Sequence, residues 1–244
     1  VKIIIVTTLY NASIYVPACI QSIIAQTYKD FKCYITDDLS TDDSVQVVKK
    51  LIQGDDRFIL IENEKKHYQG GNYDQVIRNN PDISDNDVIV EIDGDDWLPD
   101  THVLQRIHDV YTDDNVWITN GSFIYSNGYM GFSRKQDINN LRVSSFSASH
   151  MRTWRAFLWR NIKQEDLKDE HGNYWKVAGD LSFMFPMLEM AGEEHYRFLD
   201  QINYVYNGEN PLNDYKVNGY DVLYTCQKIM NKKPYFKYDK SIIT

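Results

Sequence analysis

The chain has 244 residues and a net charge of −9, from 26 basic and 35 acidic side chains. That length suits one large domain or two small ones, and 43% apolar against 25% charged residues excludes a disordered chain. The acidic balance, without long basic runs, argues against nucleic acid as a partner but is compatible with a bound nucleotide.

Ile3 to Val6 form a β-branched run that predicts a buried strand. Val16, Ile20, Ile23, Ile24 and Thr27 then recur at helical spacing, with Pro17 suited to a first turn. Phe31 to Ile35 reads as a second strand, and Asp42 as the cap of a helix with Val45, Val48, Leu51 and Ile52 inside. A third strand follows at Phe58 to Ile61, a helix at Asn72 to Asn79, and a fourth strand at Val88 to Ile92. Asp100 caps a helix carrying Val103, Leu104, Ile107 and Val110. Alternating strands and helices of this length predict an α/β fold with a mostly parallel sheet flanked by helices.

The later part is less regular. Trp117 to Tyr125 predicts one or two strands, Ser126-Asn127-Gly128 a turn, and Ser144 to His150 a polar loop. Met151 to Ile162 and Leu181 to Ala191 predict helices, and Asp200 to Tyr206 a short strand. The run from Tyr206 to Asp214, with Asn207 and Asn210, reads either as a polar turn or as a loop that closes over a ligand. With no long linker, 1–244 is expected to form one domain, a half at 1–117 packed against a second half at 118–244.

Three cysteines, Cys19, Cys33 and Cys226, are too widely spaced for a zinc or redox motif and read as reduced thiols. No stretch reaches the roughly 20 apolar residues of a membrane span. The chain opens on a strand pattern rather than a signal peptide, so the expected location is cytoplasmic. The tail from Asn231 to Thr244 interleaves Lys232, Lys233, Lys237 and Lys240 with Tyr235, Phe236 and Tyr238. That pattern fits either peripheral contact with an anionic membrane or simple packing.

In open α/β sheets, ligands gather at the carboxyl ends of parallel strands. Here the first strand runs into Thr7-Thr8-Leu9-Tyr10-Asn11, the second into Asp37-Asp38, and the fourth into Asp93-Gly94-Asp95-Asp96. Carboxylates gathered in this way repel one another unless a cation offsets them. A hard divalent ion, Mn²⁺ or Mg²⁺ carrying a diphosphate, is the simplest answer.

These segments, "IIIVTTLYN", "CIQSIIAQTYKDFKCYITDDLSTDDS" and "IVEIDGDDWLPD", resemble the inverting family 2 glycosyltransferases of GT-A (Rossmann-like) fold. The likeness runs in order through the first hundred residues and returns in "VAGDLSFMFPMLEMAG". It implies a nucleotide-sugar pocket, for a UDP-sugar above other donors, at Thr8, Tyr10, Asp38, Asn72, Asp93, Gly94 and Arg152. In that reading Thr8 and Tyr10 line the base and ribose, and Asp38 accepts a hydrogen bond from the base. Asp95 binds the metal directly with Asp93 beside it, and Asp180 is the general base. Departures from the family pattern are Thr7 for a common Pro, Leu39 for the Gly of "DDGS", and Gly71 for the Arg that often precedes Asn72. Lys65, Lys66 and Arg152 are the cations open to replace that Arg.

The implied reaction moves a sugar to a hydroxyl of a glycan, protein or small molecule, with the metal stabilising the leaving diphosphate and Asp180 taking the acceptor proton. His150 reads as a ligand of the diphosphate, metal or acceptor, or as a structural hydrogen-bonder. Trp154 and Trp159 read as core or as sugar-stacking platforms. Two other functions remain open. A D-x-D phosphatase places its acids after the first strand and not the fourth, and a non-catalytic nucleotide- or glycan-binding module has no need of both Asp95 and Asp180.

Overall fold

A computed structural model describes residues 1–239. Strands β1 (Ile3–Leu9), β2 (Phe31–Asp37), β3 (Phe58–Glu62) and β4 (Val88–Asp93) alternate with helices α1 (Val16–Ile24), α2 (Ser44–Leu51) and α3 (Tyr68–Ile77). Then come α4 (Val103–Val110), β5 (Ile118–Tyr125), β6 (Thr153–Arg155), α5 (Ala156–Arg160), α6 (Gly179–His195), β7 (Tyr196–Tyr206), α7 (Asp214–Val217) and α8 (Gly219–Met230). They build one seven-stranded sheet in the order β3-β2-β1-β4-β6-β5-β7. β1 pairs in parallel with both β2 and β4, so the chain reverses its direction of winding on either side of β1. The carboxyl ends of β1 and β4 therefore open at a topological switch point, with Thr8 level with Asp93.

Apolar side chains of both faces of β1 are buried, which is why Ile3 to Val6 read as a continuous run rather than an alternation. Ile3 and Ile5 pack with α1 and α4 through Val16, Ile20 and Leu104. Ile4 and Val6 face the other layer, where Tyr73, Trp154, Trp159 and Phe183 form an aromatic core. Trp154 and Trp159 are fully buried, so both are core residues.

Met151 to Ile162 is not a single helix. Thr153–Arg155 is a strand, paired antiparallel with both β4 and β5, and only Ala156–Arg160 is helical. The amphipathic spacing is real, but an unfilled slot between β4 and β5 draws the backbone into the sheet, and tertiary pairing overrides local pattern. The helices at Asp214–Val217 and Gly219–Met230 lie beyond the elements expected from the sequence, and α8 buries only Thr225 and Ile229.

The expected caps shift: Asp43 and His102 stand at the N-caps of α2 and α4 without side-chain cap bonds, while Asp42 accepts from the Ser44 amide at 3.0 Å and Asp100 from the His102 amide at 2.7 Å in turns that lead into the helices. The three cysteines are free thiols, Cys19 and Cys33 buried. Part of the basic tail packs on the protein. Tyr235 donates its hydroxyl to Asp166 at 2.6 Å, Lys232 reaches three backbone carbonyls, and Lys237 pairs with Glu194. Lys240 lies outside the described residues. Among the described residues no helix is long and apolar enough to cross a membrane.

Candidate functional site

The switch point is closed tightly from below. The Gly94 amide donates to Thr8 O at 2.9 Å, and a Cβ at Gly94 would sit 2.6 Å from Leu9 Cβ. Only glycine lets β1 and β4 approach this closely, which explains the residue between Asp93 and Asp95.

Asp93, Asp95 and Asp96 then diverge. Asp96 turns inward, accepting from the Tyr204 hydroxyl at 2.7 Å and the Asn207 amide at 2.7 Å. The same Tyr204 oxygen accepts from the Asp93 amide at 3.0 Å. Asp95 is partly exposed and accepts from Asn210 Nδ2 at 2.6 Å. The Tyr206–Asp214 segment is thus a loop tied to the acids by Asn207 and Asn210, beyond a polar turn alone.

Asp93 stands with Glu91 and His150. One possible ligand atom from each lies within 4.8 Å of the others. His150 stacks on Tyr204 with ring centroids 4.6 Å apart, and its buried Nδ1 has no hydrogen-bond partner. Burial, then the nearby Arg152 charge, pulls the His150 pKa down, so the imidazole is neutral and able to accept. Burial likewise pushes the Glu91 carboxyl up to about 8, offset in part by Arg152. Asp93 is raised by burial and then by the Asp95 charge, and Asp95 by burial.

Arg152 is 3% exposed and does not face open solvent. Its Nε lies 3.0 Å from Glu91 Oε2 and its Nη1 donates to Asp180 Oδ2 at 2.7 Å. Asp180 sits in the first turn of α6, after Ala178 in the left-handed region (φ 50°), and accepts from the Leu181 amide at 3.0 Å. A guanidinium thus joins Glu91 of β4 to a carboxylate from far along the chain.

Along the rim, the Asp38 carboxylate accepts from the amides of His67 (2.8 Å) and Tyr68 (3.1 Å) and from Asn63 Nδ2 (3.0 Å). The fold turns it toward the β3–α3 connection. Asn72 is buried and accepts from Asn63 Nδ2 at 2.7 Å. Lys66 lies 3.0 Å above the exposed Tyr10 ring and donates to Asp38 O at 2.5 Å. Leu39, where the family pattern has Gly, adopts φ 63°.

Glu91, Gln69 and Tyr204 were not singled out in the sequence. Glu91 had a legible signal, a charge inside the buried run Val88–Asp93. Gln69 and Tyr204 had none, because their role depends on contacts between distant segments.

Residues 4–179 match the profile of "Glycosyl transferase family 2". The chain belongs to this family. Its curated relatives include GlyA of Streptococcus pneumoniae, a glycosyltransferase 32% identical over 102 residues, covering 42% of this chain and 14% of GlyA. Another is WfaP of Escherichia coli, described as a UDP-Glc:alpha-D-GlcNAc-diphosphoundecaprenol beta-1,3-glucosyltransferase. It is 29% identical over 209 residues, 73% of this chain and 78% of WfaP. Among solved structures, S. aureus TarS superposes with a TM-score of 0.68 at 16% identity, over 94% of this chain and 39% of TarS. Glucosyl-3-phosphoglycerate synthase from Mycobacterium tuberculosis, solved with Mn²⁺, UDP and glucosyl-3-phosphoglycerate, gives 0.62 at 12% identity over 95% and 81%. The fold of this family 2 chain is accordingly the GT-A arrangement, while it spans a small fraction of GlyA and under half of TarS.

Proposed function

We propose that this chain is a metal-dependent, inverting glycosyltransferase that moves a sugar from a UDP-sugar to a hydroxyl acceptor. The observation that carries the reading is the convergence of Glu91 and Asp180 on the buried Arg152 guanidinium at a sheet switch point, with Asp93 beside Glu91. Asp93 and Asp180, acids with separate surroundings, meet the two needs of the chemistry, holding a cation and accepting a proton.

In this reading Thr8, Tyr10, Asp38, Asn72, Asp93 and Gly94 border the nucleotide, and the donor half ends near Trp117. Thr8 and Tyr10 follow from their place at the β1 end, and Asp38 shapes the rim by fixing the His67–Tyr68 backbone. A divalent ion fits the donor set, because one ligand atom from each of Glu91, Asp93 and the buried, neutral His150 lies within 4.8 Å of the others. Asp95 and Asp93 would hold it, and it would supply positive charge to the departing diphosphate. Asp180 takes the proton from the acceptor hydroxyl as that oxygen attacks the anomeric carbon from the opposite face. WfaP supports a UDP-sugar and a hydroxyl acceptor, and the Mn²⁺ and UDP of the synthase structure support the metal.

The test is a panel of UDP-, GDP- and dTDP-sugars assayed for hydrolysis and transfer with Mn²⁺, Mg²⁺ or EDTA. Release of UDP that EDTA abolishes is expected. Metal-independent turnover, or hydrolysis of a generic phosphomonoester without any donor turnover, would overturn the reading.

A further inference from the structure

The family likeness leaves Arg152 as one of several cations free to hold the donor diphosphate. Its surroundings point elsewhere. The guanidinium is buried, and two of its nitrogens already lie within ion-pair distance of carboxylates on two different elements.

Followed outward, the contacts form a chain. Gln69 Nε2, on α3, donates to Glu91 Oε1 at 3.0 Å. Glu91, on β4, has its Oε2 3.0 Å from Arg152 Nε, and its amide donates to Arg152 O at 3.2 Å. Arg152 Nη1 donates to Asp180 Oδ2 at 2.7 Å, and Asp180 Oδ1 accepts from the Leu181 amide at 3.0 Å. Each Asp180 oxygen thus spends one acceptor position inside the protein and keeps another for an incoming hydroxyl. The α6 start needs such a strut, since Ala178 stands in the left-handed region and Asp180 is 30% exposed. The guanidinium keeps Nη1 on Asp180 while Nε stays 3.0 Å from Glu91 Oε2, an ion pair without hydrogen-bond alignment, in a fixed planar spacing that a lysine ammonium does not reproduce.

We propose that Arg152 is a positioning residue that aims the Asp180 carboxylate at the acceptor hydroxyl, and that Glu91 fixes Arg152 in turn. The proposal rests on the reading of Asp180 as the base. It separates Arg152 from the donor site, so its loss acts on turnover and not on nucleotide affinity.

The experiment compares wild type with Arg152→Lys, Arg152→Met and Glu91→Gln in the full chain. Melting curves verify folding, calorimetry with Mn²⁺ gives the UDP affinity, and initial rates give kcat and donor KM. For both Arg152 variants, UDP affinity and donor KM should stay within about threefold. Turnover should fall on the order of 100-fold for Arg152→Met, and about tenfold for Arg152→Lys and Glu91→Gln. A folded Arg152→Met with kcat within about threefold of wild type overturns the proposal. So does a tenfold loss of UDP affinity with kcat retained at saturating donor, which would make Arg152 a donor ligand. If Arg152→Met does not fold, an unchanged kcat in Glu91→Gln overturns it instead. A wild-type chain that binds no nucleotide overturns the transferase reading itself, a separate and recognisable result.

Discussion

The ring of Tyr174 lies flat against Gly71, so that a Cβ built on residue 71 would stand 2.6 Å from Tyr174 Cδ2. The ring is held by its hydroxyl, which donates to the buried Asp74 carboxylate at 2.8 Å. This contact accounts for the departure at the position where family 2 chains often carry Arg: here the side chain's space belongs to Tyr174. Gly71→Ala should destabilise the fold by about 1–3 kcal/mol, because the ring cannot yield without losing Asp74. Tyr174→Ala in the same background should recover part of that loss, and additive effects in urea unfolding would contradict the steric account.

Leu39 holds a left-handed backbone (φ 63°) immediately after Asp38. An L-residue there costs about 1–2 kcal/mol, of which glycine's greater unfolded entropy returns roughly half. Leu39 is 37% exposed, so little burial is lost on replacement. Leu39→Gly should therefore stabilise the chain by about 0.5–1 kcal/mol, read as a higher urea midpoint at unchanged slope. A lower midpoint would show that the Leu39 side chain packs more than its exposure suggests.

Adjacent acids should behave differently under alanine. Asp96 is buried and accepts from Tyr204 and the Asn207 amide, so Asp96→Ala strands two buried donors at a cost of about 2–4 kcal/mol. Asp95, partly exposed and bound by Asn210 alone among described protein groups, should cost less than about 1 kcal/mol. Equal losses in chemical denaturation would argue against this division.

The two acids assigned to chemistry should separate in kinetics. Asp95→Asn should weaken Mn²⁺-dependent UDP binding and turnover together. Asp180→Asn should leave UDP binding intact and lower transfer by about 10²–10⁴-fold. Calorimetry against initial rates distinguishes them, and retention of full transfer in Asp180→Asn removes the base assignment.

Burial raises Glu91 to about 8 and raises Asp93 and Asp95 in the same sense. In the unfolded chain these groups ionise near about 4, so between pH 6.5 and 8.5 only the folded state has protons left to lose. Stability must then fall as pH rises, by about 2 kcal/mol from Glu91, or roughly 4–8 °C in Tm. His150 acts in the opposite sense, but only below its ordinary value of about 6.5. Melting of the chain in EDTA across this range checks the sign, and a flat or rising Tm contradicts it.

Sequence alone settled what local chemistry dictates. The β-branched runs of β1 and β4, the helical spacing of α1 and α4, and the acids at strand ends were all legible because each signal lies within a few neighbouring residues. Tertiary structure decided the rest. Thr153–Arg155 became a strand because β4 and β5 left a slot for it, and Gly71 was fixed by a ring 103 positions further on. The union of Glu91, Arg152 and Asp180 likewise has no local signature. Ion pairs among segments 61 and 28 residues apart depend on where the sheet and α6 meet, and that meeting is set by packing of the whole core.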